Sequence, residues 1–178
     1  MEVEVKARLH DVNEINTRLQ HMDVTLIGEE DQVDLLFNSD VRDLKKSGET
    51  LRMRIISNGI GAVLTYKGPH KAGRLKRRLE FNVNVSDHEK LRKILEALGY
   101  RQTAIIRKRR KKFCVKNFEI SLDHVEKLGR FIEVEVKGEY NLKTEKRLWA
   151  VLRELGIKQD DIETRTYAEL LESYYHTL

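Results

Sequence analysis

Apolar and polar residues alternate with a period of two over much of this chain. Glu2-Val3-Glu4-Val5-Lys6-Ala7-Arg8-Leu9 alternates strictly, which puts Glu2, Glu4, Lys6 and Arg8 on one face of a strand and Val3, Val5, Ala7 and Leu9 on the other. The same period predicts strands at 2–9, 32–38, 50–58, 62–68, 75–85, 104–114, 117–124 and 130–138. Asn58-Gly59-Ile60-Gly61 supplies a hairpin turn and Lys116-Asn117 a second, so neighbouring strands are expected to be antiparallel. Helical spacing takes over at about 11–21, 87–98, 142–155 and 167–175. Asp11 is placed to cap the first helix, Ser86 and Glu89 to form a capping box on the second, and Gly99 and Gly156 to end the second and third. In the last helix Leu170, Leu171 and Tyr174 are expected to face inward. The fold class is therefore α+β with a mainly antiparallel sheet.

No Ser-, Gly- or Pro-rich linker interrupts the pattern, and 178 residues fit one domain spanning 1–178. With one Pro and one Cys, collagen-like, low-complexity and disulfide-stapled classes are excluded. The N-terminus carries acids and a base where an export signal or membrane span needs a long apolar run, so a cytoplasmic location without membrane association is expected. Cys114 has no partner for a CxxC pair, and the six His residues show no HxH or HExxH spacing. Charged residues make up 35% of the chain, yet the net charge is only +5, so where the charges sit matters more than their sum.

Several strands are charged on one face. Arg52 and Arg54 oppose Leu51, Met53 and Ile55; Lys76, Arg78 and Glu80 oppose Leu79, Phe81 and Val83; and Lys108 and Arg110 flank Arg109. Glu133-Val134-Glu135-Val136-Lys137 repeats the N-terminal pentapeptide. One arrangement is an ordinary two-layer domain whose sheet has a solvated outer face. The other is a closed eight-stranded barrel with a charged lumen and an apolar exterior packed by helices, wide enough for one small ligand. The mixture of signs favours the barrel, because a nucleic-acid surface gains nothing from paired carboxylates. Carboxylates at i and i+2 are roughly 6.6 Å apart along a strand and can converge on a cation such as Mg²⁺ or Mn²⁺. Facing Arg and Lys residues suit phosphate. A triphosphate with its metal presents both charges at once; there is no Walker A sequence.

These residues resemble the CYTH superfamily, the triphosphate tunnel metalloenzymes, which include class IV adenylyl cyclases and thiamine triphosphatases. The resemblance rests on Glu2-Val3-Glu4-Val5-Lys6, Gln32-Val33-Asp34 with Phe37-Asn38, Leu51-Arg52-Met53-Arg54, Thr65-Tyr66-Lys67-Gly68-Pro69, Arg78 with Glu80, Lys108 with Arg110, and Leu122-Asp123-His124-Val125-Glu126 through Glu135. It implies an antiparallel tunnel in which Glu2, Glu4, Glu80, Asp123, Glu133 and Glu135 hold Mg²⁺ or Mn²⁺. It also implies that Lys6, Arg52, Arg54, Lys67, Arg78, Lys108 and Arg110 grip the triphosphate, with Lys6, Arg54 and Lys67 as the catalytic candidates. Leu36 stands where many relatives have Tyr, and Asn82 where many have a second acid.

Conversion of ATP to cyclic AMP and pyrophosphate is the first activity this resemblance implies, in a homodimer. Hydrolysis of thiamine triphosphate or inorganic triphosphate is the alternative. A third possibility from a different class is RNA or polyphosphate binding by the basic run Arg107–Lys112. Alternation would send Lys108 and Arg110 inward and Arg107, Arg109 and Lys111 outward, which makes nucleic acid the weaker partner. Arg54→Ala is expected to weaken triphosphate turnover in a chain that still folds.

Overall fold

The computed structural model describes residues 2–57, 61–69, 76–137 and 141–177. Its elements are β1 (Glu2–Arg8), α1 (Val12–His21), β2 (Thr25–Ser39), β3 (Thr50–Ile56), β4 (Ala62–Lys67), β5 (Lys76–Arg78), β6 (Glu80–Val85), α2 (His88–Ala97), β7 (Tyr100–Val115), β8 (Phe118–Val125), β9 (Gly129–Val136), α3 (Leu142–Glu154) and α4 (Tyr167–His176). None of the described helices is long and apolar enough to cross a membrane.

Asp11 caps α1, accepting from the amides of Asn13 and Glu14. On α2 the cap is Asp87, which accepts from the Lys90 amide, one residue beyond the expected Ser86. Lys116 takes a positive φ of 53° in the turn between β7 and β8, as a tight antiparallel connection requires. The other expected turn, at 58–60, lies outside the described residues. Gly61, just after it, has φ 96°, and a Cβ there would lie 2.2 Å from the Val85 carbonyl oxygen. Gly61→Ala therefore combines a left-handed backbone with a backbone clash. It is expected to lower stability by on the order of 3 kcal/mol, read as a shift of the urea midpoint at unchanged slope.

The strands form one antiparallel sheet in the order β5-β1-β9-β8-β7-β2-β3-β4-β6. The expected single strand over 75–85 is broken at Leu79, because the chain changes partner there: Glu2–Arg78 and Glu4–Lys76 pair β1 with β5, whereas Lys67–Glu80 through Ala62–Val85 pair β4 with β6. The Gly68 amide donates to the Leu79 carbonyl at 2.9 Å, fixing the break. The expected antiparallel α+β fold is present, with the segment 76–85 pairing with both β1 and β4. Among the described residues no ladder joins β5 to β6 or β1 to β4, so hydrogen bonds do not close the sheet.

Most apolar strand faces pack under helices. Val3, Val5, Ala7 and Ile120 meet Ile15 and Leu19 of α1 and Leu148 and Leu152 of α3 in one buried cluster, and Leu35, Phe37 and Met53 meet Leu95 of α2 in another. At about 1.5–3 kcal/mol per buried large side chain, this burial holds the charged faces turned toward each other. The helix α4 departs from the expectation that every helix lies outside. Its Tyr167, Leu170 and Leu171 cluster with Ile106, Val125 and Phe131, which share strand faces with Lys108, Asp123 and Glu133. The inner face turns apolar at that end, and α4 buries it. Tyr174, expected inward, is only half-buried.

Candidate functional site

The two EVEVK segments lie side by side: the β1–β9 register sets Glu4 opposite Glu135 and Lys6 opposite Glu133. Next across the sheet, β8 sets Glu119 opposite Glu135 and Asp123 opposite both Phe131 and Arg110 of β7. On the far side Asp34 of β2 faces Arg54 of β3. These faces enclose a cavity of about 1330 Å³. Its walls include Glu4, Lys6, Arg52, Arg54, Lys67, Arg78, Glu80, Lys108, Arg110, Glu133 and Glu135, so eleven of the thirteen residues nominated from sequence come together. Asp123 lies behind this wall, fully buried, and of Glu2 only the backbone is described.

Acids and bases expected as two opposed sets are instead interleaved as ion pairs. Arg54 holds Asp34 in a two-pronged contact, Nε to Oδ1 at 2.6 Å and Nη2 to Oδ2 at 2.7 Å. Arg110 grips Asp123 in the same way at 2.6 and 2.5 Å, and also donates to Glu133. Lys108 reaches Asp123 at 3.1 Å, Lys67 reaches Glu80 at 3.0 Å, Lys112 reaches Glu30 at 2.8 Å and Lys137 reaches Glu135 at 2.9 Å. Arg78 stands 3.9 Å from Glu4. Pairing satisfies the demand that a buried charge have a partner, since the isolated ion would cost several kcal/mol.

The environment sets the protonation states. Burial alone would raise the pKa of Asp34 and Glu133, but Arg54 outweighs it at Asp34, and Arg110 and Lys108 outweigh it at Glu133, so both stay ionised well below the usual carboxylate range. Burial and the adjacent Arg110 charge push Lys108 down to about 8, although Asp123 opposes them. Burial and Arg54 likewise push Arg52 down to about 10.

Arg52 is the exception among the bases. Its Nη2 donates to Thr65 Oγ1 at 3.2 Å, its Nη1 lies 3.8 Å from Asp34, and its buried Nε has no hydrogen-bond partner. Gln32 Oε1 is likewise buried and unpartnered, while its amide nitrogen donates to Glu30. Both residues line the cavity, so Arg52 and Gln32 belong to its polar wall. Thr65 passes a hydrogen bond to Asn82 at 2.7 Å, which donates to Glu80 at 2.8 Å. Asn82 thus keeps Glu80 tied to the Arg52 side of the cavity.

Sequence reasoning missed Glu30, Lys112, Glu119 and Ser121, which also line the walls, and gave no role to Gln32 or Thr65. Period two could have found Gln32 and Ser121, which lie on the faces of Asp34 and Asp123. Tyr167, also on the wall, carried no such signal. On the outer face of β7, Arg109 pairs with Asp31 and Glu29, and Arg107 lies 3.9 Å from Glu126, which weakens the basic run as a phosphate-binding strip. Among the described residues, no three carboxylate, imidazole or thiolate groups converge as a cation cluster.

The CYTH domain model matches residues 1–167. The chain is 34% identical over 173 residues to the Methanocaldococcus jannaschii protein named "Putative adenylate cyclase MJ0240", covering 96% of this chain and 98% of that one. It is 30% identical over 175 residues to adenylate cyclase CyaB of Aeromonas hydrophila, covering 96% and 88%. Among solved structures, PH1819 of Pyrococcus horikoshii OT3 superposes with a TM-score of 0.86 at 32% identity over 97% of this chain and 99% of that one. The Hippeastrum protein HpAC1, described as showing a dominant triphosphatase activity, shares the fold at TM-score 0.73 and 18% identity, over 97% and 96%. With the family model spanning nearly the whole chain and relatives above 30% identity along its length, the chain belongs to the CYTH domain family.

Proposed function

We propose that this chain is a metal-dependent enzyme that holds a triphosphate in the charged cavity and acts as an adenylyl cyclase of the class IV type, converting ATP to cyclic AMP and pyrophosphate. The observation that carries the reading is the cavity wall itself, which gathers Lys6, Arg52, Arg54, Lys67, Arg78, Lys108 and Arg110 around one space. The names of two relatives support the cyclising branch. Segment 76–85, which pairs with β1 at one end and β4 at the other, would complete the walls of a tunnel around the substrate.

In this mechanism Arg52, Lys67 and Arg78 bind phosphate oxygens, and Lys6 and Arg54 stabilise charge on the leaving pyrophosphate. The ribose 3′ oxygen forms its bond to the α-phosphorus as the α–β bridging bond breaks, and the hydroxyl proton passes to a base. Carboxylates alone, with no imidazole or thiolate, make a hard donor set that fits Mg²⁺ or Mn²⁺. Glu4 and Glu135 are register partners across β1 and β9, and with Glu133 and Glu2 they would hold the ion. When bound, the ion supplies neutralisation of triphosphate charge.

Hydrolysis at the terminal phosphorus is the second reading, favoured by the triphosphatase activity described for HpAC1. Incubation with Mg²⁺ or Mn²⁺ and a panel of triphosphates, with products separated by chromatography, tests both. Cyclic AMP with pyrophosphate is expected; orthophosphate as the sole small product would assign the chain to the triphosphatases.

Triphosphate affinity should also depend on pH. Lys108 is an ammonium below about 8 and a neutral amine above it. Affinity for inorganic tripolyphosphate is thus expected to fall more steeply above about pH 8 in the wild type than in Lys108→Arg, a comparison in which the ligand's own protonation is common to both proteins, read by titration calorimetry.

A further inference from the structure

The residue that links α4 to the charged walls is Tyr167, at the first position of that helix. Thr166 and Glu169 fix its backbone: Thr166 Oγ1 accepts from the Glu169 amide, and the Glu169 carboxylate accepts from the Thr166 amide at 2.6 Å. Its ring is buried edge-on against Phe131, with centroids 5.1 Å apart at 69°, and its hydroxyl donates to Asp123 Oδ2 at 2.9 Å. The ring is thus locked from three sides. The ammonium of Lys6 stands 4.2 Å from its centroid and that of Lys108 5.0 Å from it. Lys6 comes from β1 and Lys108 from β7, strands that are not neighbours in the sheet. Lys6 also donates to the Arg165 carbonyl, in the segment leading into α4.

We propose that Tyr167 is a positioning residue whose ring is a shared platform for these two ammonium groups, setting their places on the cavity wall for the substrate's phosphates. The proposal rests on the triphosphate reading above and extends it to a residue outside the sheet. A ring face attracts a cation through its quadrupole without neutralising it. Lys108 is paired with Asp123 as well, at 3.1 Å, so what the ring adds is position: one rigid face fixes both ammonium groups without placing a further negative charge beside them.

The test is titration calorimetry with inorganic tripolyphosphate on the wild type and on Tyr167→Phe, Tyr167→pentafluorophenylalanine and Tyr167→Leu, with a melting temperature for each. Tyr167→Phe keeps the ring, and Asp123 still accepts from Arg110 and Lys108, so its affinity should stay within about threefold of wild type. Tyr167→pentafluorophenylalanine keeps the shape but inverts the quadrupole. It should bind roughly tenfold more weakly than Tyr167→Phe at a similar melting temperature, and Tyr167→Leu should weaken at least as much. Should Tyr167→Leu fail to fold, the two ring variants carry the comparison alone. Equal affinity of the two ring variants would overturn the platform. Absence of tripolyphosphate binding by the wild type would overturn the triphosphate reading and this proposal with it.

Discussion

Asp34→Ala is expected to destabilise the protein by about 3–5 kcal/mol, because it strands the buried Arg54 guanidinium without the carboxylate that holds it at 2.6 and 2.7 Å. At about 2–4 °C per kcal/mol for a domain of this size, the melting temperature should fall by roughly 6–20 °C. The double variant Asp34→Leu/Arg54→Met removes both charges together and should recover much of that loss, since well-packed apolar replacements of a buried pair are often neutral. The same pair sets an acid limit. Asp34 has a folded pKa held well below its ordinary value of 3.8, so its contribution is fully present above about pH 4–5 and is lost as the pH falls further toward the folded value. Unfolding midpoints measured from pH 7 to 3 should decline in that window in the wild type and be flatter in Asp34→Leu/Arg54→Met.

Arg52→Ala is expected to have the opposite profile: a fall in kcat/KM of about 10²–10³ with stability little changed. No carboxylate is stranded by its loss, because Asp34 keeps both bonds from Arg54, and the orphaned Nε disappears with the side chain. This revises what the sequence suggests about Arg54. Alternation places Arg52 and Arg54 on one face as equals, yet Arg54→Ala would strand Asp34 and cost stability, so Arg52 is the sharper probe of the phosphate site. Comparing steady-state kinetics and urea unfolding for the two variants checks the distinction: a stable, active Arg52→Ala enzyme would remove Arg52 from the site.

How much the chain declares in advance depends on whether each feature is local. The strands β1, β8 and β9 are legible because one face of each is packed under helices and the other is polar, so burial writes itself as period two. The starts of β2 and β7 are not legible. Thr25–Asp31 and Arg101–Thr103 are largely exposed on both faces, so no alternation marks them, and tertiary pairing alone makes them strands. The break at Leu79 is invisible for a related reason: the residues alternate smoothly through it, and only the presence of two different partner strands divides them.

At the site, residue types and faces were legible, and pairing was not. Nothing in the run around Arg110 says that its guanidinium is committed to Asp123 and Glu133, because that depends on the registers of β7, β8 and β9 together. The role of Tyr167 is hidden still more deeply. It comes from a helix that reads as an ordinary amphipathic cover, and its position among Lys6, Lys108 and Asp123 arises only when α4 packs on the inner face of the sheet.

The central claim, that the cavity is a metal-dependent triphosphate site, is tested most directly by measuring turnover of ATP and inorganic tripolyphosphate with Mg²⁺ or Mn²⁺, with and without EDTA, for the wild type and Glu4→Gln. The account predicts turnover by the wild type that EDTA abolishes and that Glu4→Gln reduces by about 10²-fold or more, since one charged cation ligand is lost. Wild-type protein that turns over neither substrate, or turnover indifferent to both EDTA and Glu4→Gln, would contradict it.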